Sequence, residues 1–183
     1  MGSRGVINGV NLDRLSEIVK AFKATPSLAR FRFRARNRWI GGGHSVTSVK
    51  DFYGAGKEDC SRKAAFELHA DEPAALLGDD QGANSIEHVL VALASCLSTS
   101  LVYHAAAKGI EVEEVESHLE GDLDVRGFLG LSPGVRKGYE RIRVKVRIKS
   151  DAPAEQLRAL MQDSPVYDMI SNPVPIFLEL EKK

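Results

Sequence analysis

The segment from Asn84 to Gly109, NSIEHVLVALASCLSTSLVYHAAAKG, constrains this chain more than any other. It reads as one long helix that is apolar nearly all the way round. Asn84 with Glu87 three residues on forms a capping pattern at its start, and Lys108-Gly109 marks its stop. A helix with apolar residues on every side has to be wrapped by the rest of the fold. Cys96 lies close to its middle, where a thiol serves either as packing or as chemistry.

The 183 residues suffice for one domain with a sizeable core, read here as a single domain over 1–183 with an N-terminal helical extension over 1–26 and a core over 27–183. Lys plus Arg total 25 and Asp plus Glu total 25, so no global field recruits nucleic acid or an anionic membrane. No run reads as long enough to span a bilayer, and the N-terminus lacks the basic-then-apolar pattern of a signal peptide. The expectation is a soluble, cytoplasmic protein with neither nucleic acid nor membrane as partner. Two cysteines, Cys60 and Cys96, make no disulfide framework and lack metal-site spacing, so neither a metal nor a cofactor is expected.

Apolar spacing predicts a helix over Asn11 to Ala24, with Leu12, Leu15, Ile18, Val19 and Phe22 on one face. Alternation predicts a strand over Leu28 to Ile40, broken by Gly41-Gly42-Gly43, and a second over His44 to Lys50. Phe52 to Lys63 reads as an exposed loop and Ala65 to Ala70 as a short strand. After the long helix come strands over Val112 to Val125 and Tyr139 to Lys149, joined by a Gly-rich loop. A helix over Pro153 to Gln162 starts at Asp151 with proline in its first turn. A helical piece over Ser164 to Ser171 and a closing strand over Val174 to Leu180 complete the chain. The order α-β-β-β-α-β-β-α-β indicates an α+β fold with antiparallel sheet packed on helices.

Two basic stripes alternate along strands: Arg30, Arg32, Arg34, Arg36 and Arg38, then Arg141, Arg143, Lys145, Arg147 and Lys149. Glu114, Glu116, Glu120, Asp122 and Asp124 form an acidic row on the strand before the second stripe. Opposite charges across an antiparallel pair are mildly stabilising, so solvated sheet faces account for the stripes without a nucleic-acid partner.

For Cys96 to react, its pKa must be lowered by a nearby cation or a helix N-terminus. Cys96 lies too far into the helix for its N-terminal dipole to help, so activation has to come from another segment. Glu87 is about 13 Å away along a straight helix and on roughly the opposite face. It serves as half of the cap or reaches a site formed with a second subunit. His88 and His104 are each about 12 Å from Cys96 along the axis, so neither makes a local Cys-His pair.

Asp71-Glu72-Pro73, Gly82-Ala83-Asn84-Ser85-Ile86-Glu87 and Ala92-Leu93-Ala94-Ser95-Cys96 together resemble the core signature of the OsmC/Ohr superfamily, the osmotically inducible and organic-hydroperoxide-resistance proteins. Glu120-Gly121-Asp122-Leu123-Asp124, Ser164-Pro165-Val166 and Asn172-Pro173-Val174-Pro175 follow in the family's order. The resemblance runs from about Arg36 to Leu180.

This resemblance implies an intertwined homodimer in which long central helices pack against antiparallel sheets. It also implies reduction of organic hydroperoxides in oxidative-stress defence. A first Cys becomes a sulfenic acid, a second closes a disulfide with it, and a dithiol reductant restores both. Cys96 matches the first Cys and Glu87 the supporting carboxylate. The resolving Cys falls at Ser164, which cannot form a disulfide, so turnover would need an external thiol. Cys60 is the other thiol, in the polar loop before Asp71. The family's supporting Arg follows the Trp39-Ile40-Gly41-Gly42-Gly43-His44 stretch, where His44 is the nearest equivalent and Arg36 or Arg38 could lean in. Whether the protein is an enzyme stays open: the alternative is a non-catalytic dimer binding a small apolar ligand.

Overall fold

The structure, a computed structural model, describes residues 5–182. The first four residues of the expected 1–26 extension lie outside the described residues. In chain order the elements are β1 (Val6–Ile7), β2 (Val10–Asn11), α1 (Leu12–Ala24), β3 (Arg36–Gly41), β4 (His44–Val49), β5 (Phe52–Gly54), β6 (Lys57–Asp59), β7 (Phe66–Ala70), α2 (Ser85–Ala107), β8 (Glu114–Asp122), α3 (Val125–Phe128), β9 (Arg141–Lys149), α4 (Ala154–Gln162) and α5 (Pro165–Ser171). They divide into two compact units, one built mainly from residues 11–89 and the other from residues 6–10 with 90 onward.

In the first unit α1 forms where the apolar spacing predicts it, and the Asn11 side chain accepts from the Arg14 amide to cap it. The strand expected over Leu28 to Ile40 is shorter. A 3₁₀ turn occupies Pro26–Ala29, and only Arg36–Gly41 pairs as a regular strand. Phe31 and Phe33 leave the alternation to pack on Phe52, while Phe22 meets Phe31 edge-on, with ring centroids 5.5–6.4 Å apart. A Cβ on Gly54 would run into the Phe31 ring, so that glycine admits the cluster.

Phe52 to Lys63, expected as a loop, contains the β5–β6 hairpin. Ala55 and Gly56 take positive φ (48° and 82°), the geometry of a tight hairpin turn, although alanine gives little warning of it. Strands β3, β4 and β7 form an antiparallel sheet in that order, with Val46 opposite both Arg38 and His69.

In the second unit the β8–β9 pair sets Glu114, Glu116, Glu120 and Asp122 opposite Lys149, Arg147, Arg143 and Arg141, as the two rows of opposite charge predict. Hydrogen bonds from Arg143 to Asp122 and Glu120 push its guanidinium pKa up and hold both carboxyls below their usual range. The other face of this pair carries Val115, Leu119, Ile142, Val146 and Ile148 against a core of Leu93, Leu97, Leu101, Ala105, Leu157, Leu160 and Met161.

Two expectations fail here. Helix α4 begins at Ala154 with Pro153, not Asp151, at the cap and no side-chain capping bond. The segment from Val174 to Leu180 makes no ladder, and Ile176, Phe177 and Leu178 lie exposed. A strand needs a partner edge, and among the described residues this segment pairs with none. The β1–β2 hairpin, closed by Asn8-Gly9 at φ 53° and 77°, was not among the expected elements, although Asn-Gly is itself a local hairpin signal.

Candidate functional site

Helix α2 is built as its ends predict. The Asn84 side chain accepts from the Glu87 amide at 2.8 Å while Glu87 Oε2 accepts from the Asn84 amide at 2.8 Å, a complete capping box. At the other end Gly109 has φ 72°. Its amide donates to the Ala106 carbonyl and that of Ile110 to Ala105, satisfying the last carbonyls. By length and mean hydropathy (1.7) this helix could cross a membrane, contrary to the sequence expectation. Leu93, Leu97, Leu101 and Ala105 are nevertheless spent on the sheet and α4, the pattern of a core helix.

Cys96 is a free, half-buried thiol in the middle of α2, one position before Leu97 of the core. Ser95 and Ser98 on either side return their hydroxyls to the Val91 and Ala94 carbonyls of the same helix. Ser164 is 1% exposed at the start of α5, where its Oγ accepts from the Tyr167 amide at 3.2 Å. Its neighbours Leu160, Met161 and Val166 pack on the cluster that contains Leu93 and Leu97. Residues next to Cys96 and Ser164 in the chain, Leu97 on one side and Val166 on the other, thus belong to or pack on one apolar core.

Glu87 stands in the first turn of α2, occupied by the cap. His104 lies 3.8 Å from Asp163, and Cys60 is exposed just beyond β6. On the first unit, His44 Nε2 stands 3.0 Å from His69 Nδ1.

Two features escaped the sequence reading. Asp71 is 3% exposed, and its carboxylate accepts from the amides of Glu72, Asp79 and Gln81, closing the loop before α2. Burial alone would raise its pKa, but these donors and the charge of His44 outweigh it and hold the carboxyl below its usual range. The second is a cleft of about 700 Å³ in the second unit, lined by Leu97, Val146, Ile148, Leu157 and Met161, with Arg158 also contributing to its wall. Asp71 could have been suspected from the Asp-Glu-Pro turn. The cleft has no local signal, because four separate elements line it.

The family model described as OsmC-like protein matches residues 78–179, which include Cys96 and Ser164. The chain belongs to the OsmC-like family. Solved structures carry the same fold. An OsmC-like protein from Mycoplasma pneumoniae superposes at TM-score 0.58 with 12% identity, over 78% of this chain and 89% of that one. An OsmC-like protein of unknown function from Vibrio cholerae gives 0.55 and 13%, over 78% and 93%. The Legionella pneumophila organic hydroperoxide resistance protein OsmC gives 0.52 and 18%, over 76% and 89%. No curated protein matches the chain. The OsmC-like fold here is the mixed helix and antiparallel sheet that the sequence indicates.

Proposed function

We propose that this OsmC-like protein is a thiol peroxidase that reduces organic hydroperoxides in oxidative-stress defence, working as a homodimer in the cytoplasm. The observation that carries the reading is a free, half-buried thiol, Cys96, in the middle of the long apolar helix α2, within the stretch that matches the OsmC-like family. The Cys96 thiolate attacks one oxygen of the hydroperoxide. The O–O bond breaks, the alcohol leaves with a proton, and a sulfenic acid remains on the sulfur. Ser164 offers its hydroxyl hydrogen to that sulfenate but cannot resolve it. An external thiol attacks the sulfenic sulfur and water leaves, giving a mixed disulfide. A second external thiol then attacks the reductant sulfur, the two external thiols leave joined as a disulfide, and Cys96 returns as a thiol. Glu87, about 13 Å from Cys96 along its own helix, acts on the thiol of the partner copy. His44 enters as the polarising group, its imidazole already hydrogen-bonded to His69.

A second reading, a non-catalytic binder of small apolar ligands, draws support from the apolar cleft, whose volume suits such a molecule. One experiment separates them. Reduced protein is treated with stoichiometric cumene hydroperoxide and trapped with dimedone, and the Cys96 adduct is weighed by mass spectrometry. The peroxidase gives adduct within seconds. In a Cys60→Ser/Ser164→Cys double variant the adduct gives way to a Cys96 disulfide with the introduced thiol. No adduct after minutes of excess peroxide overturns the peroxidase and leaves the ligand-binding reading.

A further inference from the structure

The antiparallel register of β4 and β7 brings two histidines together where the start of β4 meets the end of β7. Val46 faces His69, so His44, two residues before Val46, falls on the same side of the sheet as a diagonal neighbour of His69. Their rings lie nearly parallel, 26° apart, with centroids 5.2 Å apart, and His44 Nε2 is 3.0 Å from His69 Nδ1. Two imidazole nitrogens so close can share one proton between them, or both can turn their lone pairs to one metal ion.

We propose that His44 and His69 form an open binding site for a divalent transition-metal ion of the imidazole-preferring class, with Zn²⁺ as its simplest occupant. Zinc–nitrogen bonds of about 2.0–2.1 Å at a tetrahedral angle place two ligand nitrogens about 3.3 Å apart. The pair therefore needs to open by only about 0.3 Å to accept the ion. The proton now between the rings moves to the other nitrogen of its own imidazole, or is released where the pair carries an extra one. Imidazole suits zinc, copper and nickel, whereas calcium and magnesium require oxygen ligands.

Asp71 follows His69 by two residues, and His44's charge acts on its carboxylate. Its oxygens are taken by three backbone amides, so Asp71 supplies a fixed negative charge rather than a ligand. Arg36, Arg38 and Glu67 share the face of the two histidines, with Arg36 in the row of Glu67 and Arg38 in the row of His69. Among the described residues no third His, Cys, Asp or Glu completes a closed cage. Water or an incoming small ligand fills the remaining positions, so with two protein nitrogens, one fewer than a catalytic zinc site holds, this is an exposed two-ligand site. A zinc ion on His44 excludes the polarising role proposed for that residue above, and the readout here, metal binding, is independent of peroxide chemistry.

The test is zinc titration of the full chain in competition with a chromogenic chelator, with Cys60 and Cys96 changed to Ser to remove thiolate binding. One zinc per chain is expected, with affinity falling at least roughly tenfold in His44→Ala and in His69→Ala. His88→Ala, His104→Ala and His118→Ala are expected to bind as the parent does. Nitrogen-15 NMR of the intact imidazoles guards against variants that misfold: zinc should shift the ring nitrogens of His44 and His69 together. Absence of binding, affinity indifferent to both variants, or ring shifts confined to other histidines would overturn the site.

Discussion

A carboxylate that gives up water for three backbone amides gains stability only while it stays ionised, and Asp71 is in that position. Its folded pKa is depressed below the unfolded value, about 3.9 for Asp. Its contribution is therefore full above the unfolded value and is lost as pH falls through the folded one. Asp71→Asn should lower Tm at neutral pH by several degrees, because an amide nitrogen cannot accept from the loop amides. The gap between variant and parent should then narrow as both are taken into acid. Thermal melts across that range check it, and a gap independent of pH would mean the loop is held by something other than this charge. Ser164 is the contrasting residue. It is neutral and almost fully buried, and one amide bond locates its oxygen, so what it does depends on the sulfur chemistry it borders.

At the scale of elements, Leu101 concentrates the energetics of α2, being 0% exposed amid Leu97, Ala105 and Leu160. Leu101→Ala should cost about 2–5 kcal/mol, the range for a buried leucine whose cavity only partly closes. Denaturant unfolding measures it, and a loss under about 1 kcal/mol would mean the site collapses freely or α2 is not the core. The ends of α2 were legible in the sequence because capping boxes and glycine stops are local devices. The β8–β9 pairing was legible too, since rows of opposite sign announce each other across a strand pair. The β5–β6 hairpin was not, because its turn rests on an alanine at positive φ. Nor was the region from residue 30 to 35, where stacking among four phenylalanines overrides a regular alternation. The same divide applies to the site. Cys96 stood out from one segment alone, while the meeting of His44 with His69 exists only through the β4–β7 register.

For the whole molecule, the decisive quantity is apolar surface that one chain leaves in water. Ile176, Phe177 and Leu178 are each close to 90% exposed near the end of the chain, and among the described residues β9 pairs only with β8. A two-stranded sheet is marginal by itself, and a stretch of adjacent exposed apolar residues marks an interaction surface. On α2, Val91 and Tyr103 also face solvent, although the helix is apolar on every side. The sequence argument that such a helix must be wrapped is therefore met on one face only, by the sheet and α4. The proposed homodimer supplies the other cover, and the segment from Val174 to Leu180 gains the strand partner it lacks. Sedimentation at micromolar concentration should give one dimeric species. A chain ending at Asn172 should lose that dimer and become less soluble, since α2 and the sheet keep their exposed apolar positions without the segment that helps cover them. A stable, soluble monomer of the full chain would refute the assembly. It would also remove the role proposed for Glu87, which reaches a thiol only across two copies.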